Sequence, residues 1–226
     1  MRLAEHRLHL GRMYSALAHD LQGHLNSMVL NLELLQRTAD AQPGRVPRYA
    51  SLIASELQAL DRRLKAVVGQ MRLADPASDR FDWRALTDDL AVIFESYART
   101  RRVRVRSALP EIPVSVFGDR DSVSHVLTSL LVGVVDTLPA GSLLSLTLRT
   151  DRQTAVLDIS ATPGAAGEAP GAPEPIAFWT REPAAGALEA ARAVLETDHA
   201  APIRVPSGPR EPARLEIELP LAPLAV

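Results

Sequence analysis

His19 and Asp20 stand side by side in the run from Tyr14 to Leu35, where His19 is either a functional group or an ordinary surface histidine on a bundle helix. A neutral imidazole is a competent nucleophile near neutral pH. Gln22, Gly23 and Asn26 follow His19 at the three-, four- and seven-residue steps, so on a helix they share its face. With Gly23 one turn on, that flank can meet a docking partner. Other chemistries are weaker. Ser15, His19 and Asp20 are near in sequence, but nothing supplies an oxyanion hole for hydrolysis. His19 and His24 are five apart and point to different faces, which disfavours a metal pair. His6 and His9 fall near an end expected to fray, and His125 is expected to pack or cap.

The element that must position His19 is a helix. Tyr14, Ala18, Leu21, Leu25, Met28, Leu32 and Leu35 alternate steps of four and three, the seam of a helix packed on other helices. This first helix is expected from the N-terminal residues to about Arg37. Ala41 to Pro47 reads as a turn, with Pro and Gly as breakers. A second helix is expected from near Arg48, with Ile53, Leu57, Leu60, Leu64, Val67 and Met71 in the same rhythm. Two helices cannot enclose a bundle core alone. Two-fold pairing of two hairpins gives a four-helix bundle, so a homodimer is expected. The alternative is that the stripes pack on the C-terminal part of the same chain.

The totals set bounds. The chain has 226 residues, 46% hydrophobic, with a net charge of −2. That allows one large or two small domains with real cores. The near-neutral balance gives no general pull toward nucleic acid or membrane. There is no cysteine, hence no disulfide framework and no thiolate metal site. The N-terminal residues lack an apolar core of signal-peptide length, and the longest apolar run, near Leu130 to Val135, is too short to cross a bilayer. A soluble cytoplasmic protein is expected. Lys65 is the only lysine, a bias that reflects genome composition more than function. The basic run from Arg99 to Arg106 reads as a solvated helix end and strand face, since it is short and lacks aromatic interleaving.

Ala74 to Asp79 reads as a linker, so that a hairpin at 1–74 and a linker at 75–80 precede a second domain at 81–226. There the pattern predicts a helix from Trp83 to Thr100, strands at Val103–Arg106 and Val114–Phe117, and a helix from Asp119 to Leu138. Strands follow at Leu143–Thr150 and Ala155–Ser160, joined near Asp151. Pro163 to Pro175, rich in Gly, Pro and Ala, reads as a loop. A helix at Ala184–Thr197 and strands at Ile203–Val205 and Arg214–Leu219 close the domain. Helices segregated to one face of a mainly antiparallel sheet make an α+β sandwich.

At Ala18 to Met28 the chain resembles the H-box of sensor histidine kinases, in which a histidine followed by Asp or Glu accepts a phosphoryl group. Gln22 replaces the family's basic residue and His24 its proline, which leaves a straighter helix. Residues 81–226 resemble the Bergerat-type ATP-binding domain of the same family. Phe81 to Leu90 is similar to its opening, Phe117 to Leu127 to its Gly-Asp-x-x-Arg-Leu-x-Gln-Val-Leu stretch, and Ile203 to Ser207 with Leu215 to Leu221 to its closing strands. The resemblance therefore implies a helical hairpin forming a dimeric four-helix bundle, followed by an α/β sandwich.

The same resemblance shows what has been lost. The family's two asparagines beside the nucleotide fall on Ser129 and Gly133. Its Asp-x-Gly-x-Gly, whose Asp reads the adenine amino group, falls on Ala161 to Ala165. A second glycine pair falls on Ala185 and Ala187. Gly133 offers no metal ligand, and Ala161 cannot accept the adenine hydrogen bond. A degenerate ATP site beside an intact His19 resembles the histidine phosphotransferases of phosphorelays, in which the group passes between receiver-domain aspartates. That implies His19 as phosphoacceptor, Asp20 steadying the imidazole, Gln22, Gly23 and Asn26 as docking surface, no cofactor of its own, and magnesium brought by the receiver. A pseudokinase that only binds and regulates a receiver or kinase is the competitor from another class. A kinase with an unusual nucleotide site is the third.

Overall fold

The computed structural model describes residues 2–38, 42–71, 80–164, 179–199, 201–205 and 213–222. Helix α1 (Arg2–Thr38) runs unbroken for 37 residues through the position where the H-box pattern has proline. A 3-10 turn (Pro43–Arg45) leads into α2 (Val46–Met71). Pro47 lies in the first turn of α2, where a missing backbone N–H costs nothing, so this helix starts at Val46 rather than near Arg48.

The second part, in which α3 spans Trp83–Thr100, opens on β1 (Arg80–Asp82), a short strand that the sequence pattern does not predict. It pairs antiparallel with β3 (Ser115–Phe117). Asp82 ends β1 and caps α3, accepting from the backbone N–H of Ala85 and of Val114. Helix α4 (Arg120–Thr137) is capped in the same way by Asp119. Strands β2 (Arg104–Ala108), β4 (Leu143–Thr150), β5 (Thr154–Thr162), β6 (Ile203–Arg204) and β7 (Ala213–Pro220) form one sheet in the order β2-β4-β5-β7-β6. Only β2 with β4 is parallel, so the sheet is mainly antiparallel as expected. Helix α5 (Ala184–Asp198) packs on α4. Leu144, Leu146, Leu157, Ile159, Leu215 and Ile217 alternate onto the core face of the sheet, against Trp83, Phe94, Leu127 and Leu130 from the helices. The linker expected at 75–80 lies outside the described residues except for Arg80, which belongs to β1, and most of the Pro163–Pro175 loop lies outside them as well.

The hairpin is docked onto this sandwich at one end. Met13 and Leu17, buried to 2%, and Ala66 belong to the same core as the sheet. The register therefore differs from the expected seam. Ala18 faces solvent, while Leu17, one residue earlier, is buried. At Gly69 a Cβ would fall 2.0 Å from the Asp89 carboxylate, so a larger residue there would make that side chain move aside. Arg120 donates to the Gly69 carbonyl and Ser124 to the Gln70 side chain. The alternative to a fully dimeric stripe thus holds at this end. At the other end the stripe is bare: Leu25, Val29, Leu32, Leu52 and Leu57 are exposed, Leu25 by 47% and Leu57 by 56%. Among the described residues no helix is long and apolar enough to cross a membrane.

Candidate functional site

His19 is exposed on α1 and has no hydrogen bond or ion pair among the described residues. Gln22, Gly23 and Asn26 are exposed on the same flank. A Cβ on Gly23 would meet nothing within 4 Å, so the surface is open in front of it. His19, Gln22, Gly23 and Asn26, which helical spacing groups together, do lie on one exposed face.

Asp20 is placed differently from expectation. Consecutive helical side chains diverge by about 100°, and the Asp20 carboxylate turns from the imidazole toward the C-terminal part. It accepts from Arg99 Nη1 at 2.7 Å and lies 4.0 Å from Arg63 Nη2. Arg63 is buried on α2, where it also donates to the Ala59 carbonyl. Arg99 is therefore more than part of a solvated helix end: it ties α3 to the residue beside His19.

His24, at the family's proline position, bonds through Nδ1 to the Glu56 carboxylate on α2, which also accepts from Ser27. The Glu56 carboxyl is held below its ordinary value, chiefly by the His24 hydrogen bond. His24 thus ties the two arms of the hairpin together. Among the described residues no group of three or more His, Cys, Asp or Glu is arranged to hold a metal.

On the other side of His19 a groove of about 700 Å³ runs between α1 and the end of α3. Gly11, Arg12, Ser15 and Ala16 line it from α1, and Tyr97, Thr100 and Arg101 from the other wall. Asp136 of α4 organises that wall. It accepts from the Tyr97 hydroxyl at 2.7 Å, and pairs with Arg101 at 3.0 Å and Arg12 at 3.6 Å. Burial, helped by the adjacent Asp136 carboxylate, pushes the Tyr97 hydroxyl above its ordinary pKa. Sequence reasoning missed Arg12, Arg101 and Asp136 here, because they converge from α1, the end of α3 and α4.

Ser129, Gly133 and Ala187, the positions that the resemblance aligns with the family's nucleotide-binding residues, lie where α5 packs on α4. A cavity of about 410 Å³ lies there, with Ser129, Gly133 and His125 on one side and Glu182, Gly186 and Ala187 on the other. Gly133 is the point of closest approach. A Cβ on it would lie 2.9 Å from the Ala187 Cβ and 3.2 Å from the Pro183 carbonyl. An asparagine ligand has no room at this position. Ala161 is 0% exposed on β5, paired with Leu144 and Ala213 inside the sheet. A carboxylate there would be buried among apolar side chains. Gly164 is pressed on Gly141, its added Cβ only 2.6 Å from the Gly141 carbonyl carbon. Its narrowness thus serves backbone packing. Ala165 lies outside the described residues. The groups that would grip adenine and a metal-bound phosphate do not fit this frame.

Comparison with solved structures assigns the fold. The catalytic domain of the histidine kinase ThkA aligns with a TM-score of 0.50 at 19% identity, over 62% of this chain and 93% of that one. A histidine kinase from Burkholderia phymatum aligns with a TM-score of 0.50 at 21% identity, over 98% of this chain and 96% of that one. At these identities the likeness is one of fold. No protein-family model and no curated protein sequence matches the chain.

Proposed function

We propose that this histidine kinase-like chain is a histidine phosphotransferase that relays a phosphoryl group between receiver-domain aspartates through His19, without ATP. A lone pair of the neutral imidazole attacks phosphorus. The N–P bond forms as the P–O bond of the phospho-aspartate breaks, and that bonding pair leaves on the carboxylate oxygen. The charge gained by the ring is relieved when its remaining N–H proton passes to water. The reverse sequence delivers the group to a second receiver. Magnesium comes with the receiver, where it offsets charge on the phosphoryl oxygens.

The receiver docks over the exposed face at His19, Gln22, Gly23 and Asn26. Asp20 acts by position: gripped by Arg99, it fixes the C-terminal part beside the nucleophile. Two copies pair through Leu25, Leu32, Leu57 and Leu64, apolar residues that one chain leaves exposed. Such a seam in water is the surface a four-helix bundle covers. The hairpin at 1–74 is then the phosphotransfer and dimerisation unit, and 81–226 a docking and supporting domain.

The observation that carries this reading over a kinase is Gly133, where α5 sits on α4 with no space for a ligand side chain. The test pairs two experiments. Calorimetry with magnesium and ATP gives no saturable isotherm. Mixing with an aspartyl-phosphorylated receiver places acid-labile label on His19. A pseudokinase would bind the receiver and take no label, and a kinase would bind ATP.

A further inference from the structure

We propose that Arg101 and Arg12 form the anion-holding wall of the groove beside His19 and receive the oxygens of a phosphoryl group carried on that ring. The inference rests on His19 being the phosphoacceptor, and names residues outside its docking face. Both arginines line the groove that His19 enters. A long helical side chain leans toward the N-terminus of its helix, so the His19 ring lies over the turn holding Ser15 and Ala16, toward Arg12 rather than toward Gly23.

The charge balance favours an anion. Two guanidinium groups meet one carboxylate at this wall, since Asp136 is shared by Arg12 and Arg101. The acid nearest in sequence, Asp20, is already engaged by Arg99. The side chains of Arg12 and Arg101 are 47% and 50% exposed, against 12% for Asp136. Each guanidinium carries five N–H donors, and the pairing to Asp136 occupies only part of that capacity. That pairing also orients the two forks, so little side-chain freedom is lost when an oxyanion arrives. The Tyr97 hydroxyl holds Asp136 from below at 2.7 Å and keeps the assembly in place. A neutral ring makes no demand on this wall; a phosphorylated ring brings about −2 charge to it.

The test uses the full chain and potassium phosphoramidate, a small phosphodonor that needs no receiver. The P–N bond of the donor breaks, its electron pair leaves with ammonia after protonation, and the new N–P bond forms to the ring. The difference between phosphorus NMR spectra of wild type and His19→Gln isolates the signal from this histidine. In wild type its phosphoryl ionisation has a lower midpoint than in the urea-unfolded chain, because cations favour the dianion. Arg101→Gln and Arg12→Gln each raise the midpoint by roughly half a pH unit, the effect of one unit charge a few ångströms away in a water-like medium. Arg101→Lys keeps most of the shift. Far-UV dichroism stays unchanged, since both side chains are half exposed. Identical midpoints in wild type and both Gln variants would overturn the proposal while leaving His19 as phosphoacceptor. Absence of any His19-dependent phosphorus signal in folded wild type would overturn the phosphoacceptor assignment itself, and this inference with it.

Discussion

Arg99 Nη1 on α3 lies 2.7 Å from Asp20 Oδ2 on α1, an ion pair spanning 79 residues of sequence. It joins the helix carrying the candidate nucleophile to the domain that resembles an ATP-binding module. On the hairpin side Arg63, 4% exposed, stands behind the same carboxylate. Exposed ion pairs contribute about 0–1 kcal/mol, so the Arg99 pair sets geometry more than stability. It places His19 and Arg101, each one or two residues from a member of the pair, along the same groove.

Gly133→Asn restores a family ligand type and should fail to restore nucleotide binding. The added Cβ alone would sit 2.9 Å from the Ala187 Cβ. Overpacking of this kind costs about 1–3 kcal/mol, and each kcal/mol lowers the melting temperature by about 2–4 °C for a chain of this size. Ala161→Asp should cost more, since it buries a charge in the core. Thermal unfolding with and without magnesium and ATP checks both. Ligand-dependent stabilisation of either variant would contradict this account of Gly133 and Ala161.

Leu25→Asp and Leu57→Asp should dissociate the proposed dimer while leaving the protomer folded. Both positions are about half exposed in a single chain, so the charge is tolerated there. In the paired state it would be buried without a partner, at a cost of several kcal/mol. Light scattering reads the mass. A dimer that survives both changes places the interface elsewhere.

The His24–Glu56 pair should make hairpin stability depend on acid. A carboxyl whose folded pKa is depressed contributes stability above its unfolded value, ordinarily 4.5, and that contribution disappears as pH falls through the lower folded value. Wild type should therefore be more stable than His24→Gln at about pH 6, and the gap should close below about pH 4. Urea unfolding at the two values measures it. A gap that persists undiminished in acid would mean that His24 acts through packing alone.

Gly23→Arg should slow transfer without harming the fold. Nothing lies within 4 Å of the added Cβ, and replacing an exposed helical glycine gains about 0.5–1 kcal/mol of helix propensity. Helicity should hold or rise while the long side chain obstructs a receiver. Transfer at the wild-type rate would move the docking surface off this face.

Much of this arrangement could be read from local pattern. Helix α3 falls at Trp83–Thr100 and β4 at Leu143–Thr150, as expected, because each has a clear period over many residues. β1 was missed because three residues show no alternation. The open flank at His19, Gln22, Gly23 and Asn26 followed from helical spacing alone. The burial of Leu17 in place of Ala18 could not follow from it, since both are small or apolar and only docking on the sandwich decides between them. The partners of Asp20 and Asp136 were illegible for the same reason: Arg99, Arg101 and Arg12 arrive from distant elements. Gly133 was legible as a missing ligand but not as the seat of α5.

The most direct test of the phosphotransferase account is a transfer assay with two donors. The chain is incubated separately with a receiver carrying radiolabelled phospho-aspartate and with ATP labelled on its terminal phosphate, beside a His19→Gln control. The account predicts acid-labile label from the phosphorylated receiver only. That label should be absent in His19→Gln, whose melting temperature matches wild type because the side chain is exposed, and chaseable to a second receiver. Label from ATP on His19 with no receiver present would identify a kinase, and a receiver that binds without passing its phosphoryl group would identify a regulator without transfer chemistry.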